Sequence, residues 1–467
     1  MKKKGLLAGF AVGLMVGLFL IPVVARTAPE ENDSVAKRFG LPPAWDEAFF
    51  QPLGNAAAQI QARYVDDVDP ARALVGAYEG ILNALDEYGS YIPLDRLEEF
   101  EGDTKGEFGG LGIQIRFLPL EKILRVEQPI PGTPAFRLGI LTGDIITKVK
   151  EEATGEMVET RDFKDVHDAV RILRGEPGTK VTLTVVHEGT GKEEDITVER
   201  EVIKIPGIYA PQMLDEKWKI GYVYVPAFHE RTVEDLKNAI GQLQGQGLKA
   251  LIVDLRFNPG GLLTSAIDMS DLFLGDAVVV STRGRAMPDF VFRTRADDVL
   301  QGAPLAILVN RHSASASEIV AGAIKDNGRG LVIGEITYGK GSVQTIIPLR
   351  DKQGALKLTT ARYYTPSGVC IQKTGVAPDV EIKLTDQELR GLARKLASLA
   401  EYPPQPKPEP PKETAPPAPQ GAGEEQPKPQ EAPFRDVQLE RALDILTGIL
   451  IQQQRQQAAE TAQAVVR

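Results

Sequence analysis

Ala250-Leu-Ile-Val-Asp-Leu255 is an almost unbroken apolar run of strand length, and it constrains the fold more than any other segment. A strand with water on one face alternates apolar and polar residues. One that is apolar along its length needs cover on both faces, which a parallel α/β sheet provides. The run ends in Arg256-Phe-Asn-Pro-Gly-Gly261, a turn signal, and a helical pattern follows. Upstream, Ile220-Gly-Tyr-Val-Tyr-Val225 reads as another strand, and Thr232–Gln244 carries helical spacing between the two. Alternating strands and helices predict a layered α/β core over residues 201–388.

The chain has 467 residues and 42% apolar composition, enough for several domains around that core. Lys2-Lys3-Lys4 precede an apolar run from Leu6 to Val24, ending Val23-Val24-Ala25. The last and third-last positions suit signal-peptidase cleavage after Ala25. The run also comes close to the ~20 residues that span a bilayer. Residues 1–28 therefore read equally as a cleaved signal or a retained membrane anchor, and either exports the rest of the chain. Residues 29–104 read as helical. Asp69-Pro70 supplies an N-cap and a first-turn proline, after which Leu74, Ala77, Tyr78, Ile81, Leu82 and Leu85 share one face.

Residues 105–200 change to short strands with two helices. They open on Phe108-Gly-Gly-Leu-Gly-Ile-Gln-Ile115, a glycine-rich loop running into an alternating strand. The loop Gly109, Gly110, Leu111, Gly112 can aim several backbone N–H groups at one anion, such as a peptide carboxylate, with the peptide adding as an extra strand. It can equally be a plain tight turn. Residues 403–433, rich in Pro, Glu, Lys and Gln, cannot bury apolar area and read as an extended linker. In 434–467, Leu439, Leu443, Leu446 and Leu450 recur at helical spacing; such a stripe needs a partner, either the chain's own core or a second copy.

Two blocks carry candidate chemistry. Asn310-Arg-His-Ser-Ala-Ser315-Ala-Ser-Glu-Ile319 is a small-residue serine stretch opening a helical pattern, and Thr337-Tyr-Gly-Lys340-Gly-Ser-Val-Gln344 lies downstream of it. Such a pairing suits a serine nucleophile and a lysine base. A hydroxyl attacks poorly until a base takes its proton, and lysine does so only as the free amine. The serine stretch alone is also an ordinary helix cap. Gly334-x-x-x-x-Gly339-Lys340 opens like a phosphate-binding loop, but Gly341 stands where Ser or Thr must hold magnesium, and a strand follows instead of a helix.

Together and in this order, the blocks resemble the carboxyl-terminal processing, or tail-specific, serine proteases. Their pattern runs Asn-x-Gly-Ser-Ala-Ser-Ala-Ser-Glu-Ile, a helix, a strand, then Phe/Tyr-Gly-Lys-Gly-Ser-Val-Gln. His312 stands where that family usually has glycine. The resemblance implies Ser315 as nucleophile, Lys340 as general base and Gln344 as the residue orienting the lysine. Asp254-Leu-Arg-x-Asn-Pro-Gly-Gly261 matches as well, implying an oxyanion hole from the amides of Gly260 and Ala316. Pro131-Gly-Thr-Pro134 through Gly139, Gly143-Asp-Ile-Ile146 and Asp168 through Gly175 resemble a PDZ domain. That implies carboxylate capture by Gly109–Gly112 and an arginine, Arg174, that senses bound peptide. From sequence alone, Arg174 is equally a surface cation at a helix end.

The expectation is a multidomain α/β protein. It has a helical N-terminal region, a β-rich PDZ domain with two helices, a Ser-Lys protease core, a Pro-rich linker and a C-terminal helix. It would act as a serine endopeptidase on exported proteins with apolar C-terminal tails, at the extracytoplasmic face of the membrane, without metal or nucleotide cofactor. A homodimer through the C-terminal stripe and a catalytically silent PDZ scaffold stay open as alternatives. The net charge of −10 argues against a nucleic-acid partner. The single Cys370 excludes an internal disulfide and a cysteine zinc site, and the four histidines form no H-E-x-x-H.

Overall fold

The computed structural model describes residues 34–188, 190–286, 288–295, 297–350, 353–399 and 434–466. The leader expected at 1–28 and the linker expected at 403–433 lie outside the described residues.

The described residues up to Leu94, with those between Gln344 and Thr359, form one unit. It contains α1 (Val35–Phe39), α2 (Gln51–Arg63), α3 (Pro70–Asn83) and β1 (Ser90–Ile92). α3 starts where the sequence predicts: Asp69 Oδ1 accepts the Ala71 N–H at 2.9 Å, with Pro70 in the first turn. β1 pairs antiparallel with residues 355–357, from Ser90 opposite Lys357 to Ile92 opposite Ala355. The apolar face expected on this helix is mostly uncovered. Leu82 is buried and Tyr78 packs on Tyr91, while Leu74, Ile81 and Leu85 are exposed. Periodicity identifies side chains that share a face, not whether anything covers it.

The second unit begins in α4 (Leu94–Lys105) and contains two sheets of interest. The first module comprises β2 (Glu107–Gly110), β3 (Ile113–Leu118), β4 (Ile123–Pro129), α5 (Pro134–Arg137), β5 (Ile145–Glu151), β6 (Met157–Glu159), α6 (Val166–Leu173), β7 (Lys180–Val186), β8 (Glu193–Glu199) and β9 (Glu201–Lys204). Strand order is β3-β4-β5-β7-β8 with β6 on β5, while β2 and β9 form a separate ribbon. Leu111, Leu124, Val126, Ile146, Leu183 and Val185 build its core. Buried Arg200 ties the module together. Its guanidinium bonds both oxygens of Glu151 and the carbonyls of Ile172 and Leu173 at the end of α6.

The remaining elements in chain order are β10 (Tyr209–Asp215), β11 (Ile220–Tyr224), α7 (Thr232–Gly245), β12 (Ala250–Asp254), α8 (Leu263–Asp271), β13 (Val278–Gly284), β14 (Phe290–Arg293), β15 (Leu305–Val309), α9 (Ala316–Asp326), β16 (Leu331–Gly334), β17 (Ser342–Pro348), β18 (Ala355–Tyr364), β19 (Val380–Glu381), α10 (Asp386–Leu399) and α11 (Val437–Val466). The parts of β17 and β18 within 344–359 belong to the first unit, and the other elements build the α/β core. The main sheet runs β10-β11-β12-β15-β16-β19, parallel from β11 onward. Every residue of β11, β12 and β15 is buried, as the apolar run at 250–255 requires.

Helices cover both faces. Leu236, Ile240 and Leu243 of α7, Met269 of α8 and Ile319, Val320 and Ile324 of α9 pack on one. Leu392 and Leu396 of α10 and Ala442, Leu446 and Leu450 of α11 pack on the other. The C-terminal leucine stripe therefore lies on its own core. Each fully buried leucine there contributes roughly 1.5–3 kcal/mol.

Candidate active site

Strand β15 leads into a tight turn, where Ser313 N–H donates to Asn310 O at 2.9 Å, and the chain then enters α9. Ser315 occupies the N-cap of α9 with φ +54 and ψ −112. A non-glycine residue held at positive φ costs about 1–3 kcal/mol, and such strain concentrates where a side chain must be presented at a set angle. A nucleophile on a strained strand-to-helix turn exposes its hydroxyl above the sheet.

The neighbouring serines have other duties. Ser313 is buried, donating its hydroxyl to Leu255 O at 2.8 Å and accepting the Asn310 N–H at 2.9 Å. Ser317 is buried and donates to Asn258 O at 3.0 Å. Ser315 is half-buried.

Buried Glu318 joins the two sequence blocks. Its Oε2 accepts the backbone N–H groups of both Ser315 and Lys340 at 2.8 Å. Its Oε1 accepts the Gly339 N–H at 2.8 Å and the Thr337 hydroxyl at 2.5 Å. Burial pushes the Glu318 carboxyl above its usual range, while the Thr337 hydroxyl and the three amides pull the other way. Since all four partners are donors, the site suits a carboxylate. A protonated oxygen would turn an O–H toward an N–H.

The lysine loop is held by its neighbours as well. Gly341 donates to Gln372 Oε1 at 2.9 Å and accepts the Tyr363 N–H at 2.7 Å, and Lys373 N–H donates to Gly339 O at 2.8 Å. A Cβ on Gly341 would lie 2.5 Å from Gln372 N, so the glycine after Lys340 is required by close approach. Lys340 itself is half-buried. Gln344, on β17, donates through Nε2 to Thr359 Oγ1 at 3.3 Å on β18.

The turn after β12 packs directly on Ser315. Gly260 has φ +103, and a Cβ there would come within 2.7 Å of Ser315 Cβ and 3.0 Å of Ala316 N. The expectation that Gly260 offers its amide to an oxyanion needs correction: that N–H donates to Asn258 Oδ1 at 2.8 Å. Asn258 is itself buried, donating through Nδ2 to Val225 O. Gly260 contributes space in this arrangement, not a free donor. Ala316 is the first residue of α9, where helix geometry leaves an N–H without an intrahelical acceptor. His312, in place of the expected glycine, is exposed and stacks on Phe257, with ring centroids 5.0 Å apart and planes 11° from parallel.

The glycine-rich segment of the first module also differs from expectation. Gly109 and Gly110 belong to β2, opposite Val202 and Glu201 of β9, so the loop reduces to Leu111 and Gly112. Here glycine serves close packing, because a Cβ on Gly109 would lie 2.1 Å from Gly175 O. Leu111 is buried in the module's core, and Gly112 has φ +75 against Thr133. The next strand, β3, is the end strand of its sheet among the described residues. Arg174 caps the C-terminus of α6 and lays its guanidinium over the Phe108 ring, 4.1 Å from the centroid.

Glu318 is the main site residue that sequence reasoning missed. The signal was present: Ser315-x-x-Glu318 is the spacing of a capping box, in which the third residue of the helix reaches back to the N-cap amide. Asn258 and Asn310 were missed too. Asn310 Oδ1 accepts the N–H groups of Phe257 and His312 and so joins the two turns.

The model of peptidase family S41 matches residues 219–382, and a PDZ-domain model matches 125–186. The chain is 39% identical over 357 residues to a carboxy-terminal-processing protease of Bartonella bacilliformis, covering 73% of this chain and 79% of that protein. It is 33% identical over 345 residues to a carboxy-terminal processing protease of Bacillus subtilis, covering 72% and 70%. A carboxyl-terminal-processing protease of a Picosynechococcus species is 35% identical over 313 residues, covering 67% and 72%.

Proposed function

This chain belongs to the carboxy-terminal-processing serine proteases of peptidase family S41, and from that premise we propose that Ser315 and Lys340 are its catalytic dyad. The enzyme is a serine-type endopeptidase that binds peptide or protein substrates with the help of a PDZ domain. One observation carries the residue assignment: the amides of Ser315 and Lys340 meet on a single oxygen of Glu318.

In this reading Ser315 Oγ attacks the scissile carbonyl carbon while Lys340 Nζ takes the hydroxyl proton. The tetrahedral oxyanion forms beside the N-terminus of α9, where the Ala316 amide serves as donor, a contribution of about 3–4 kcal/mol at comparable sites. The carbon–nitrogen bond breaks as Lys340 returns the proton to the departing amine. Lys340 then takes a proton from water as the water oxygen attacks the acyl carbon, and returns that proton to Ser315 Oγ as the ester bond breaks and the acid product leaves. Gln344 orients the lysine. The Leu111–Gly112 turn receives the substrate's terminal carboxylate, an apolar tail lies along the free edge of β3, and Arg174 responds to its arrival. The leader read at 1–28 supports an enzyme at the extracytoplasmic face of the membrane, anchored if that segment is retained.

The test is cleavage of an unstructured peptide with an apolar free-acid terminus, beside the same peptide amidated. The reading expects rapid cleavage of the acid, much slower cleavage of the amide and none by Ser315→Ala. Equal rates on both peptides would remove the PDZ selection and leave the dyad. Unimpaired cleavage by Ser315→Ala would remove the dyad.

A further inference from the structure

We infer that Asp436, 96 residues beyond Lys340 in the chain, is a positioning residue for the turn beneath Ser315 and acts through Arg256. The inference rests on the Ser315 assignment above. Arg256 is completely buried at the end of β12, immediately before Phe257-Asn258-Pro259-Gly260. Its guanidinium is divided between two carboxylates. Nε bonds both oxygens of Asp254 and Nη2 bonds Asp254 Oδ2 at 2.6 Å. Nη1 and Nη2 make a forked pair with Asp436, at 2.7 and 2.9 Å, and Nη1 also donates to Gln438 Oε1 at 3.2 Å.

Asp436 and Gln438 open the C-terminal segment that becomes α11. Asp436 also caps that helix by accepting the Leu439 N–H, and it receives Lys395 Nζ from α10 at 3.2 Å. Gln438 Nε2 donates to Ile382 O. Tyr222 donates its hydroxyl to Asp254 at 2.8 Å from the neighbouring strand. Two buried carboxylates thus share one buried guanidinium, with the partly exposed Lys395 at the edge, and one carboxylate comes from the far end of the chain.

The consequence arises from the cost of an unpaired buried charge. Removing one partner of such a pair is far more disruptive than never having built it. Released from Asp436, Arg256 must shift toward Asp254 or toward water, and Phe257 is the next residue. Phe257 already sits at φ +60, and the turn it starts ends on Gly260, in contact with Ser315. Docking of the C-terminal segment therefore completes the active site rather than merely covering the sheet.

The test uses the full chain and Asp436→Asn, which keeps the size and removes the charge and the fork. Leu446→Ala is the control, loosening the same helix without touching the ion network. Asp436→Asn is expected to lower kcat about tenfold or more, with KM within about twofold. Affinity for a peptide boronate, which mimics the tetrahedral intermediate, should fall in parallel. Amide exchange at 257–261 should accelerate in Asp436→Asn and not in Leu446→Ala. Where Asp436→Asn does not fold, Gln438→Ala, which removes one of the three bonds that the C-terminal segment makes to Arg256, should show the same pattern in weaker form. If these variants lower the melting temperature while kcat, boronate affinity and exchange at 257–261 stay as in wild type, the inference is wrong. Exchange is read without turnover. An inactive wild-type chain whose 257–261 amides still respond to Asp436→Asn would sustain the coupling while removing the dyad.

Discussion

Ser315 and Lys340 donate their backbone N–H groups to the same atom, Glu318 Oε2, each at 2.8 Å. One buried carboxylate thus sets the spacing between the proposed nucleophile and its base, while Thr337 and Gly339 hold its other oxygen. Neither backbone can move away without leaving a buried acceptor short of a donor.

Glu318→Gln tests that clamp. Glutamine offers one acceptor oxygen and an NH2 that must face two of the four donors, leaving buried groups unsatisfied at about 1–3 kcal/mol. The expected result is a lower melting temperature together with at least about a tenfold loss in kcat. Wild-type turnover in a folded Glu318→Gln enzyme would show that the clamp does not set the dyad.

Acid should separate activity from folding. Burial raises the Glu318 carboxyl despite its four donors, so the folded state binds this proton more readily than the unfolded chain. Its linkage contribution is therefore present below the unfolded value, about 4.3, and is lost as pH rises through the raised folded value. Protonation nevertheless takes an acceptor from the dyad amides, so activity should fall with acid while the protein stays folded. Asp436 behaves oppositely. Burial alone would raise it, but Arg256 and Lys395 bring it below its usual range. Its stabilisation is present above about 3.9 and is lost as pH falls toward the depressed folded value. Parallel activity and circular-dichroism titrations should show activity failing first. Simultaneous loss of both would contradict this ordering.

Ser313→Ala and Ser317→Ala should cost stability rather than chemistry. Each removes a buried hydroxyl bonded to a carbonyl, and Ser313 also leaves the Asn310 N–H without its acceptor. A loss of about 1–3 kcal/mol in urea unfolding is expected for Ser313→Ala, with kcat retained below the melting transition. A folded but inactive variant of either would point to the wrong serine.

Gly260→Ala combines strain with collision. The new methyl would sit 2.7 Å from Ser315 Cβ at φ +103. Gly132→Ala provides the comparison, since Gly132 has φ +78 and nothing within 4 Å of an added Cβ. The first should abolish peptide cleavage, and the second should cost only about 1 kcal/mol of left-handed strain. Comparable activity in both would mean that the turn does not press on Ser315.

The α/β core was legible because β12 is apolar on both faces, and the helix at Ala316 because small residues and a turn precede it. Motif order made Ser315 and Lys340 visible as candidates. What escaped was tertiary. Gly109 and Gly110 look like a loop but are small because Gly175 passes over the first and the Phe108 ring lies against the second. The partner of the leucine stripe on α11 depends on which face of the sheet is bare, which no local pattern records. Arg256 and Asp436 are 180 residues apart and meet only once the C-terminal segment is docked on the sheet.

Mass-spectrometric mapping of a covalent adduct tests the central claim most directly. The full chain would be treated with a serine-reactive fluorophosphonate and digested, and the modified residue identified in wild type and in Lys340→Ala. The account predicts an adduct on Ser315 in wild type and its near-complete loss in Lys340→Ala, since without the amine the hydroxyl is not activated. An adduct on Ser313 or Ser317, or undiminished labelling of Ser315 in Lys340→Ala, would contradict it.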